Sequence, residues 1–450
     1  MISREMKSAF LVTIPLTITL VAAAVVVAGG RAEQTDPRVY QQADLIAKVL
    51  TRIENDFVER FDDDKSWEVV YGGLKSMTRK LDPYSVFLNP DESRSFAEET
   101  HKNYVGVGFA ANRDAPPITI DYLFPGSPAE KAELVPGDRV LSVDGTSIEA
   151  MEADRAIELI KGREGSKVKL AVRRAASGRT EEIELERARI DQVSVLDAHL
   201  IDEQQKVAYV YVDGFGDSTV TEFDRAMEPL VAQGATALVL DLRFNNGGLL
   251  DVATLFANRF LREGAIVGIR YREPKESVTK RADPAECRHP DLPVVVLVNG
   301  ETASAAEIVA GALQDQKRAL LVGQRSYGKG RVQSIWKIPV EVAGGEESER
   351  TVMLKLTTAE YLTPSGRLIE KHVGHNDKQN ALGGLEPDVT VSIDDARAKE
   401  LKRRFDLVHV PQRWREQHLA AHRFTLPPLK DRELDAALAV LRGETPAQDF

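Results

Sequence analysis

The chain has 450 residues and a formal net charge of −11 at pH 7, from 59 Lys and Arg against 70 Asp and Glu. With no basic excess to neutralise phosphates, nucleic acid is excluded as its main partner. The single cysteine, Cys287, excludes an intrachain disulfide and a cysteine-built zinc site, and no motif calls for a cofactor. At the N-terminus, Arg4 and Lys7 precede an uncharged run over 8–30. At ~1.5 Å per residue it is long enough for a bilayer core of ~30 Å. Residues 1–34 thus read as a signal peptide or a transmembrane anchor. The length, beyond the ~7–15 residues of a signal-peptide core, favours the uncleaved anchor. Either reading carries the body of the chain out of the cytoplasm into a bacterial-type periplasm or cell envelope, away from Arg4 and Lys7.

Residues 35–103 read as largely helical. Leu45, Ile46, Val49, Leu50 and Ile53 recur at helical spacing, and a second amphipathic stretch over 67–81 stops at Asp82-Pro83. Residues 104–188 read as a small β-rich domain: alternating strands over 118–123, 139–143 and 168–172, an amphipathic helix over 151–161, and glycine turns between them. Residues 189–398 alternate apolar strands (207–212, 237–242, 294–298, 319–322) with helices (219–232, 249–261, 307–314), which indicates an α/β sheet. Residues 399–450 form a polar tail with helical stretches over 400–405, 414–422 and 434–441 and no assignable role. His418 and His422 stand at i, i+4 but have no acidic companion, so they read as a solvated helix face.

Chemistry concentrates in 301–333. Ser304 follows the strand over 294–298 and the turn Asn299-Gly300, is surrounded by Thr302, Ala303, Ala305 and Ala306, and opens a helix. A strand-to-helix junction presents unpaired N–H groups, and small neighbours admit a substrate carbonyl; an acyl-transfer nucleophile needs both. No histidine has a triad spacing. Lys329, in the turn Gly328-Lys329-Gly330, is the candidate base, provided burial lowers its pKa from ~10.4. Leu320, Leu321, Val322, Val332, Ile335 and Trp336 are candidate walls for it, and Gln333 is placed to orient the amine.

The runs Thr302-Ala303-Ser304-Ala305-Ala306-Glu307, Leu240-Asp241-Leu242-Arg243-Phe244-Asn245-Asn246-Gly247-Gly248 and Gly328-Lys329-Gly330 resemble the carboxyl-terminal processing proteases, or tail-specific proteases. The resemblance spans about 40–394. It implies a multidomain α/β fold, with a crotonase/ClpP-like α/β protease core, an inserted PDZ domain and helical N- and C-terminal regions. It also implies a Ser304–Lys329 dyad, 329 − 304 = 25 residues apart, with Gln333 orienting the lysine and Glu307 in support. Gly247 and Ala305 would form the oxyanion hole, with Gly248 the near competitor for Gly247. The PDZ loop at Val105, Gly106, Val107 and Gly108 would hold the C-terminus of a protein or peptide substrate, added as a strand. The N-terminal region suggests a homodimer, and an adaptor protein is a further partner. The competing reading is a PDZ scaffold with a decayed core, which the presence of Ser304, Lys329 and Gln333 opposes.

Two rival motifs fail. Gly323 to Lys329 has phosphate-loop spacing, but Gly330 replaces the Ser/Thr that would hold magnesium, and a β-branched run follows where a helix should start. Ser326-Tyr327-Gly328-Lys329 has S-x-x-K spacing without a helix or companion motifs.

Overall fold

A computed structural model of the chain describes residues 36–60, 62–112, 116–340, 351–371, 383–408 and 431–445. The uncharged run over 8–30, the stretch over 414–422 and His418 and His422 lie outside the described residues. Among the described residues no helix is long and apolar enough to cross a membrane, and no group of His, Cys, Asp and Glu could hold a metal. The chain divides into two units between Leu74 and Lys75. In the first, Asp36 caps the helix Pro37–Asp56 by accepting the Arg38 N–H (2.9 Å), and Pro37 takes the first helical position, where its missing donor costs nothing. This helix buries none of its residues: Leu45 is 62% exposed and Val49 49%.

In the second unit a six-stranded sheet runs in the order Val195–Asp202, Val207–Val212, Ala237–Asp241, Val294–Val298, Ala319–Gly323, Val389–Thr390. The first pair is antiparallel and the others parallel. The continuous apolar runs read from the sequence follow from burial on both faces. Val210, Leu240 and Val296 pack against helices Thr219–Ala232, Leu250–Asn258 and Ala305–Asp315. Tyr209, Val239 and Leu297 face the other way, onto Leu401, Phe405, Ala436 and Ala437. The tail that carried no assignable role is therefore the cover of the sheet's second face, through helices Asp395–Val408 and Arg432–Leu441.

What draws the tail in is a buried cation. The fully buried Arg243 guanidinium donates to Asp241, to Asp431 (2.9 and 2.8 Å) and to Glu433 (2.7 Å), and lies 4.8 Å from the Phe405 ring. Burial pushes the Glu433 carboxyl up to about 7 against the pull of Arg243. Replacing Arg243 by Met strands these carboxylates, and should lower unfolding free energy by ~3–5 kcal/mol in a denaturant titration. Stranded carboxylates titrate above their usual range, so the loss should be largest above that raised pKa and shrink as the pH falls through it. A variant equally destabilised at pH 5 and pH 8 would contradict this.

A second, antiparallel sheet pairs the strand Thr351–Leu362 with Val86–Leu88, Arg331–Pro339 and Ala265–Tyr271, the last also pairing with Val278–Arg281. The third sheet, Phe109–Asn112, Thr119–Leu123, Arg139–Val143, Lys167–Arg173 and Thr180–Glu186, encloses its own core around Ile120, Leu134, Val140, Ile148 and Leu170. Its flanking strands, Asn103–Gly106 and Ala188–Asp191, pair with each other.

Candidate active site

Ser304 ends the turn after Val294–Val298 and precedes Ala305–Asp315, with φ +57° and ψ −119°. Such a conformation costs a side-chain-bearing residue ~1–3 kcal/mol and persists only where its surroundings fix it. They do so here. The Ser304 N–H donates to Glu307 Oε2 (2.8 Å), the Glu307 N–H to the Ser304 carbonyl (2.9 Å), and the Ala303 N–H to the Asn245 carbonyl (2.9 Å).

Glu307 joins the serine to the lysine turn. Besides Ser304, its fully buried carboxylate accepts from Ser326 Oγ (2.6 Å), Gly328 N–H (2.8 Å) and Lys329 N–H (2.9 Å). Burial pushes its pKa up, and the four donors pull the other way. The carbonyl side of the turn is held as well. Tyr361 hydroxyl donates to the Lys329 carbonyl, and its N–H to that of Gly330 (2.9 Å). The Gly330 N–H donates to Glu370 (2.7 Å).

Burial lowers the Lys329 pKa, Lys355 lowers it further, and Glu370 and Glu307 raise it. The walls differ from those expected. Leu320 and Trp336 are 46% and 44% exposed, and Leu321 belongs to the sheet core. The aromatic neighbour is Tyr84, its ring 5.4 Å from Lys329 Nζ and its hydroxyl pushed up to about 12 by burial. Tyr84 is set by its turn: Asp82 accepts the Tyr84 and Ser85 N–H groups (2.7 and 2.8 Å), and Ser85 Oγ accepts the Thr357 N–H (3.1 Å).

Ser304, Ala305, Lys329, Gln333, Gly247 and Tyr361 line one cleft of about 1210 Å³. Among the described residues no hydrogen bond joins Ser304 to Lys329, and the Gln333 amide donates to the Arg331 carbonyl (3.1 Å), not to the amine. A bulge between Val332 and Gln333 sets the latter's direction. Gly247, at φ +104°, sits against Ser304: a Cβ there would meet Ser304 Cβ at 2.8 Å and Ala305 N at 2.9 Å. Its own N–H donates to Asn245 Oδ1 (2.9 Å). The N–H groups of Ala305 and Gly248 have no acceptor among the described residues.

A second cavity, of about 340 Å³, lies between the segment Gly106, Val107, Gly108 and the helix Ala153–Ile160. Val105 does not line it; it is held in the ladder opposite Arg189. Gly108 has φ +86°, and a Cβ there would come within 2.2 Å of Ser127 Cβ. Lys102, Tyr122, Gln192, Leu196 and Asp213 line both cavities, with Lys102 Nζ on Asp213 at 2.6 Å. Sequence reading missed Tyr84, Tyr361, Glu370 and this ion pair. Of these only the Asp82-Pro83 turn carried a local signal.

A serine in a strained strand–helix junction, sharing a buried carboxylate with the turn of a half-buried lysine and lying beside a small β domain, is the arrangement of a serine-type peptidase. The sequence profile of peptidase family S41 matches residues 206–391, and that of the PDZ domain matches 119–174. The chain is 32% identical to the carboxy-terminal processing protease CtpA of Bacillus subtilis over 78% of its length and 69% of that protein's. It is 35% identical to the carboxyl-terminal-processing protease of Synechocystis over 68% of its length and 69% of that one's. Among solved structures it is similar to the photosystem II D1 C-terminal processing protease: 27% identity, TM-score 0.41, covering 77% of this chain and 86% of that one. The chain belongs to peptidase family S41, the carboxy-terminal processing serine proteases.

Proposed function

We propose that the chain is an endopeptidase that captures exposed C-terminal tails in its PDZ groove and cuts them with a Ser304–Lys329 dyad. The observation that carries this reading is the shared carboxylate. Glu307 accepts the N–H of Ser304 and the N–H of Lys329 on one oxygen, Oε2, so residues from separate motifs are fixed to a common point. Ser304 attacks the scissile carbonyl, and neutral Lys329 takes its proton and returns it to the leaving amine. Gln333 turns to hold the amine once substrate fills the cleft; hydrogen bonds of an empty site tighten on binding. Ala305 N–H is the first oxyanion donor. The second is Gly247 N–H if the Asn245 side chain yields it, or Gly248 N–H, which has no such competitor. The loop Gly106–Val107–Gly108 takes the substrate's terminal carboxylate. The walls common to groove and cleft give the tail a continuous route to the serine.

The core has a crotonase/ClpP-like topology with the PDZ domain inserted. The N-terminal segment anchors the body outside the cytoplasm. The exposed apolar face of Pro37–Asp56 is where a second copy would dimerise. The deciding experiment compares one peptide with a free apolar C-terminus and the same peptide amidated, each with the unaltered chain and with Ser304→Ala. The free form should be cut faster by about tenfold, the effect of ~1.4 kcal/mol of docking, and Ser304→Ala should cut neither. Equal rates on both peptides would remove tail capture; cleavage by Ser304→Ala would remove the nucleophile.

A further inference from the structure

We propose that Tyr361 is a positioning residue for this reaction, its hydroxyl and its N–H fixing the turn that carries the base. The inference rests on the dyad reading above. Tyr361 lies in the strand Thr351–Leu362 and is 2% exposed. Its hydroxyl donates to the Lys329 carbonyl, and it lines the same cleft as Ser304. A phenol has one proton to give, and here it is committed to the Lys329 carbonyl. Burial keeps this phenol protonated well above its usual range, so it is no rival base.

The consequence for the chemistry is that the turn is gripped from both sides. Glu307 holds its N–H groups, and Tyr361 holds the two carbonyls at 329 and 330 through its hydroxyl and its N–H. The strand reaches this position because Arg331 pairs with Glu360 and Val332 with Ala359, immediately before the bulge that aims Gln333. One ladder therefore delivers the orienting phenol and the orienting amide together.

The test is Tyr361→Phe in the full chain, which keeps the ring and removes only the hydroxyl. With a tailed peptide, kcat should fall by about 10–100-fold, as ångström-scale misplacement of reacting groups does, with KM within about twofold and Tm preserved. The acid limb of the rate–pH profile should move to higher pH, because a loosened, wetter lysine turn restores a more ordinary amine. An unchanged kcat and pH profile overturns the proposal. Should the Phe variant not fold, 3,5-difluorotyrosine at 361 keeps the shape and makes the phenol more acidic. A new alkaline loss of rate is then expected, and a profile like that of the unaltered chain overturns the proposal. Lys329→Ala, assayed alongside, separates the two readings: its activity would dismiss the dyad, whereas an inert Lys329→Ala beside a fully active Tyr361→Phe would dismiss only the positioning role of Tyr361.

Discussion

Lys329→Ala lowers kcat by roughly 10²–10⁴-fold, the range a general base supplies, while leaving the fold intact. The expectation rests on which amine form the site favours. Burial comes first among the causes that lower the Lys329 pKa, and Lys355 adds like charge; Glu370 and Glu307 act against them without reversing the direction. A neutral amine is thus present at lower pH than for a free lysine. In the unaltered enzyme the rate should climb with pH through that depressed value and then level. The sign for stability is the same. The folded pKa lies below the unfolded one, so the unfolded chain binds more protons between them and stability rises with pH across that window. Lys329→Ala should lose both dependences. A rate profile flat from pH 5 to pH 10, or undiminished cleavage by the variant, would refute lysine as the base.

Glu307→Ala is expected to be the most damaging change outside the dyad. It orphans four donors at once: the N–H groups of Ser304, Gly328 and Lys329 and the Ser326 hydroxyl. Each buried group left without a partner costs ~1–3 kcal/mol. Several stay dry, so a total loss of ~3–5 kcal/mol in chemical unfolding is expected. Activity should fall by about 10²-fold or more even under conditions where the variant stays folded, because the serine and lysine turns lose their common anchor. Glu307→Gln is the sharper probe. Oε1 accepts from Ser326 and Gly328, and Oε2 from Ser304 and Lys329. An amide keeps one of these oxygens and points its own donors at the other pair. It should therefore be nearly as inactive as the alanine, and full activity in Glu307→Gln would show that no carboxylate clamp operates.

These residues divide by how far their partners lie along the chain. Ser304 and Lys329 were legible because a junction and a glycine-flanked turn are local patterns, while Glu307 came only with the family resemblance. The parallel strands were legible because burial on both faces writes an unbroken apolar run, as in Val294–Val298. Thr180–Glu186 escaped because five of its seven residues are polar or charged and its outer face is wet. Tyr361 and Glu370 escaped for another reason. Their importance comes from strand pairing and loop return, 32 and 40 residues from the main-chain groups they hold. Nothing near Arg243 announced that tail carboxylates 188 and 190 residues later would supply its counter-charges.

That separation orders events during synthesis. A ribosome has released Ser304 and Lys329 long before it reaches Asp431 and Glu433. Until then Arg243, four residues ahead of Gly247, has only Asp241 to neutralise it, and the sheet's second face lacks the cover of Arg432–Leu441. A nascent chain in that interval already carries Ser304 and Lys329 but lacks the brace behind the glycine turn, which is complete only when Asp431 and Glu433 arrive.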